Sequence, residues 1–97
     1  MKKASNKQTV SYEPVAVSEE TQVTFIKTVN AGGVTISGVA KKKTEDETVT
    51  IGSVSFDNEK DTLAVYINKK SVLTKEELDK LMAQTPGWIA EILAEEE

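Results

Sequence analysis

From residue 22 onward, apolar and polar side chains alternate with a period of two, the spacing of strands with one face buried. In "QVTFIKTV", residues 22–29, Val23, Phe25, Lys27 and Val29 share one face, with Thr24, Ile26 and Thr28 on the other. "NAGG", residues 30–33, supplies residues tolerant of positive φ. "VTISGVA", residues 34–40, returns with Val34 and Ile36 in phase, so the pair predicts a β-hairpin. A loop from Lys41 to Glu47 leads into "TVTIGSVSF", residues 48–56. Here Val49 and Ile51 hold one phase and Val54 and Phe56 the other; a one-residue slip beside Gly52 predicts a β-bulge. "DNEKD", residues 57–61, is a turn, and "TLAVYIN" is a fourth strand with Leu63, Val65 and Ile67 in phase. Four strands with short connections make an antiparallel meander.

The period then lengthens to that of a helix. Thr74 to Glu77, "TKEE", has the form of a capping box, with Leu73 and Leu78 at the positions of a hydrophobic staple. Glu76 stands four residues before Lys80, the favourable order for a pair. "TPG" at residues 85–87 interrupts: Pro86 lacks an N–H and crowds the preceding turn, which predicts a kink, or a second helix capped by Thr85. The apolar stripe of Leu78, Leu81, Met82, Ile89, Ile92 and Leu93 crosses this break, with Trp88 at its edge. The expected fold is therefore α+β: a four-stranded antiparallel meander with a C-terminal kinked helix or helix pair on one face.

Upstream, residues 1–9 are polar, and "VSYEPVAVS" spaces Val10, Tyr12, Val15 and Val17 like a strand broken by Pro14. Proline cannot donate to a ladder, so this reads as an edge strand at best, or as an extended arm suited to lie along a neighbouring subunit. The chain divides into a polar N-terminal arm (1–21), a single α+β domain (22–94) and an acidic tail (95–97).

Composition narrows the chemistry. Among 97 residues there is no Cys, His or Arg, and all 12 positive charges are lysine. Disulfides, thiolate metal sites, imidazole bases and bidentate guanidinium contacts are thereby excluded. No carboxylate pair stands out as catalytic, "DNEKD" lacks the spacing of a calcium loop, and the glycines form no phosphate-binding motif. Neither an enzyme nor a cofactor is expected. No apolar run is long enough to span a membrane. Met1-Lys2-Lys3 leads into "ASNKQTVSYEP", which has no apolar core of a signal peptide, so the expected location is cytoplasmic, or within an assembled particle. The net charge of −4 gives no general attraction to nucleic acid or anionic membrane.

Two basic stretches remain. Lys41-Lys42-Lys43 reads as a phosphate-contacting loop or as a solvated hairpin tip; Glu45, Asp46 and Glu47 lie within about 8 Å, the screening length, and favour the tip. Lys69 and Lys70 precede the helix. This order, four strands and then a helix entered through lysines, resembles the coactivator-type and whirly-type single-strand-binding folds, in element order alone. A single-strand-binding reading would use the lysines Lys41, Lys42, Lys43, Lys69 and Lys70, with Tyr66, out of phase with the apolar set of its strand, as a base-stacking platform. The other reading is a non-catalytic interaction or assembly module that binds itself or a protein partner, with no small-molecule substrate. Its contacts would be Tyr12, Val15 and Val17 on the arm, Ile26, Val39 and Tyr66 on the open sheet face, and Trp88 as an anchor. Thr/Val-rich strands with a polar arm also have the texture of small accessory proteins of phage or mobile-element assemblies.

Overall fold

Strands dominate residues 21–67 because β-branched and aromatic side chains recur there with a period close to two. The computed structural model describes residues 9–30, 33–68 and 72–94. Its elements are β1 (Thr9–Ser11), β2 (Val15–Ala16), β3 (Thr21–Asn30), β4 (Gly33–Lys43), β5 (Thr48–Asp57), β6 (Thr62–Ile67) and α1 (Lys75–Ala94). The expected meander is β3 to β6, all antiparallel, and β1 and β2 extend it beyond β3, giving one sheet in the order β1-β3-β4-β5-β6 with β2 also on β3.

The four-strand expectation is thus too small. Val10, Tyr12 and Val17 are buried in the chain's own core, and β1 and β2 join its own sheet. Its interruption falls at Glu13 and Pro14, which belong to no strand; proline removes a donor the ladder would use.

The hairpin forms in register from Thr21↔Lys42 to Asn30↔Gly33. β4 continues through Lys43, so the loop expected from Lys41 is the shorter segment Thr44–Glu47, closed by a Thr44 N–H bond to the Glu47 carbonyl at 2.7 Å. The predicted bulge is present: Ala40 faces Gly52 while Lys41 faces Thr50, leaving Ile51 as the extra residue, buried. A side chain at Gly52 would stand 2.3 Å from the Tyr66 carbonyl oxygen, so the bulge brings β6 to a distance only glycine permits. At Gly38 a Cβ would approach the Phe25 ring to 2.9 Å; the missing side chain makes room for that ring between sheet and helix.

The helix is single and unbroken from Lys75 to Ala94, with Pro86 inside it, so the alternative of a second helix is not realised. Pro86 is exposed, and the carbonyl it leaves without its helical donor belongs to Met82, itself 51% exposed, so water can take the missing bond. Thr85 points inward instead of capping a second helix. Its hydroxyl donates to the Leu81 carbonyl at 2.6 Å, which satisfies it while fully buried. The buried stripe is Glu77, Leu81, Thr85, Ile89 and Ile92, narrower than the apolar positions implied, with Met82 and Leu93 exposed. Trp88 meets Phe25 edge to face at 6.0 Å, linking helix to sheet.

Candidate interaction surface

A polar cluster around Glu77 fastens helix to sheet. Glu77 Oε2 accepts from the Ser18 and Thr21 hydroxyls, both at 2.6 Å. Its Oε1 accepts from Lys42 Nζ at 2.8 Å and from the Thr74 N–H at 3.0 Å. The capping box closes as the Glu77 N–H donates to Thr74 Oγ1 at 3.1 Å. Lys42 also donates to the Val72 carbonyl at 2.9 Å. Burial by itself pushes the Glu77 carboxyl up, but the Lys42 ammonium, the two hydroxyls and the Thr74 amide together hold it well below the ordinary 4.5.

With four donors on two oxygens, the carboxylate has no capacity left for a substrate or metal ion. It is a fastener between the strand approach (Ser18, Thr21), β4 and the helix start. An open hollow of about 430 Å³ beside it is lined by Ser18, Glu19, Glu20, Glu76 and Lys80, among others. Among the described residues, no three metal-ligating side chains converge.

The sequence-predicted residues fall on different sides of this sheet. Tyr12 and Val17 are buried, and Val15 and Trp88 are half-buried against the core. Lys42 is turned inward to Glu77, whereas Lys41 and Lys43 are exposed on the opposite face. Alternation explains the split: of three consecutive strand residues the middle one must face the other way. Lys69, Lys70 and the acidic tail 95–97 lie outside the described residues.

Ile26, Val39 and Tyr66 share the face that the helix does not cover. Strand register sets this face out in rows. One runs Thr24, Val39, Ser53, Tyr66, and the next Ser11, Ile26, Ser37, Ser55, Ala64. A third is Thr9, Thr28, Thr35, Asp57, Thr62. The face is therefore a field of short hydroxyls, with Ile26 at 38% and Val39 at 39% exposure near its middle and Tyr66 at 60% toward one margin.

That margin is β6, and it carries a residue not singled out from the sequence. Leu63 points to the core face, in phase with Val65 and Ile67, yet is 42% exposed because it lies at the sheet's end. Alternation assigns it to the core; only the strand order, which no local pattern encodes, leaves it uncovered. Among the described residues no strand pairs with the outer edge of β6, and no helix is long and apolar enough to cross a membrane. No protein-family model, curated protein or solved structure matches the chain.

Proposed function

We propose that this chain is a non-catalytic assembly module that packs against further copies of itself. The observation that carries the reading is the set of large apolar side chains left uncovered on one sheet: Ile26, Val39 and Tyr66 on the open face and Leu63 at the margin. Each loses apolar area to water only if something else covers it, at about 25 cal/mol per Å² buried. The Ser and Thr side chains around Ile26 and Val39 are short and uncharged, so the middle of the face can be covered while Lys41 and Lys43 at one end and Asp57 at the other keep their hydration.

The nucleic-acid reading has weaker support. Of the lysine run, Lys42 is neutralised by Glu77, which leaves Lys41 and Lys43 on the face that presents Tyr66, the one aromatic there among the described residues. Stacking platforms need several such rings, each contributing about 1–3 kcal/mol per base.

Sedimentation equilibrium of the full chain over a wide concentration range tests the proposal. The expected result is a mass that rises above the monomer's 10.6 kDa and falls back in an Ile26→Ser/Val39→Ser/Leu63→Ser variant. A mass fixed at the monomer value throughout would overturn it. Salt-sensitive binding of a labelled single-stranded oligonucleotide by that monomer would put the nucleic-acid reading in its place.

A further inference from the structure

The two margins of the sheet differ in kind. The β1/β2 margin is two short pieces separated by Glu13 and Pro14, an interruption and a missing donor that both hinder a further strand from pairing there. The β6 margin has none of these protections. Its six residues, "TLAVYI", contain no charge, proline or glycine, and all favour or tolerate strand.

The direction of the free backbone groups follows from hydrogen bonds on β5. The Asn68 N–H donates to the Ile51 carbonyl at 2.9 Å, and the Asn58 N–H to the Val34 carbonyl, also at 2.9 Å. Antiparallel ladders alternate, so Thr62, Ala64 and Tyr66 turn their groups toward β5. Leu63, Val65 and Ile67 therefore turn theirs outward. Those same residues face the core side of the sheet, where Leu63 is exposed and Val65 and Ile67 are half-buried.

We infer that β6 pairs with β6 of a second copy about a two-fold axis through Val65, joining two sheets into one; this inference rests on the self-assembly reading above. The register is the one that uses every outward group. Val65 faces its own copy and Leu63 faces the partner's Ile67, and each opposed pair exchanges both backbone bonds. A shift of two residues in either direction leaves one of the three without its mate. On the core side the register joins Leu63, Val65 and Ile67 to the same residues of the partner. On the open face it sets the exposed Tyr66 against the partner's Ala64, a large side chain over a small one. Because the other margin is interrupted by Pro14, pairing of β6 on β1 is disfavoured and the assembly closes as a dimer instead of growing into a fibre.

The absence of cysteine makes the register directly measurable. In an antiparallel pair that exchanges both bonds the Cα atoms stand about 5.5 Å apart, within disulfide reach. Single-cysteine chains V65C, A64C and Y66C are oxidised mildly, and L63P, which removes an outward N–H from an exposed position, is sedimented. The expected result is that V65C cross-links to a dimer well before the other two, and that L63P is monomeric with its circular dichroism intact. If L63P fails to fold, the cysteine series alone decides. Faster linking of A64C or Y66C would overturn the register. A chain that sediments as an oligomer while V65C stays unlinked would overturn the β6 pairing and leave the assembly reading standing; a chain that stays monomeric overturns both.

Discussion

Glu77 does two jobs with one carboxylate. As the third helical residue it closes the capping box with Thr74, and as a buried anion it accepts from Lys42, Ser18 and Thr21. Removing one partner of a buried pair strands the other, a loss of about 3–5 kcal/mol. Glu77→Gln keeps the size but strands the Lys42 ammonium, so its urea midpoint should fall by a corresponding amount at unchanged slope. Lys42→Met should cost less, because the carboxylate keeps the hydroxyls and the Thr74 amide, and the double variant should cost less than the sum of the two. The same carboxyl makes stability depend on acid. Its folded value lies below the ordinary 4.5, so its contribution is complete above that pH and is lost as pH falls toward the folded value. Below pH 4.5 the unfolded chain takes up a proton that the folded chain refuses, which favours unfolding. The native chain should then lose up to about 1.4 kcal/mol per pH unit more than Glu77→Gln does, read from urea melts at pH 5, 4 and 3. Parallel curves for the two chains would contradict the assignment.

At the scale of elements, much of the fold is legible in the sequence. The β3–β4 hairpin, the bulge at Ile51 and Gly52, the fourth meander strand and the Thr74–Glu77 capping box follow from alternation, a phase slip and a four-residue motif, all local signals. What was not legible depended on distant partners. The lysine run reads as loop because three charges in a row resemble solvent-facing sequence, yet Lys42 is drawn inward by a glutamate 35 residues away. Pro86 reads as a break because sequence does not reveal which side of the helix meets water. Its solvent side is also where stability can be gained. A Cβ at Gly87 would find nothing within 4 Å, so Gly87→Ala removes backbone freedom from the unfolded chain without a clash. It should add about 1 kcal/mol and raise the thermal midpoint by about 4–8 °C for a domain of this size. A lower midpoint would mean that the helix is strained around Pro86 in a way the open space at Gly87 does not show.

For the whole molecule, the arrangement leaves burial unfinished on one side. α1 contributes Leu81, Ile89 and Ile92 to the core that includes Val10, Val23 and Phe25, while Leu63 stays uncovered at β6. A chain of 97 residues buries a modest fraction of its surface, and pairing two copies through β6 would add to that fraction on both faces at once. Any such association stabilises the folded state by mass action, because the unfolded chain presents no ordered edge to pair. The thermal midpoint of the native chain should therefore rise with protein concentration, whereas that of Leu63→Pro should not move. Paired scans at low and high concentration, read by circular dichroism, check this without any label or cross-linker. Equal concentration dependence in both chains would place the association elsewhere, on the open face of Ile26 and Val39, and would separate the sheet's two candidate surfaces by experiment.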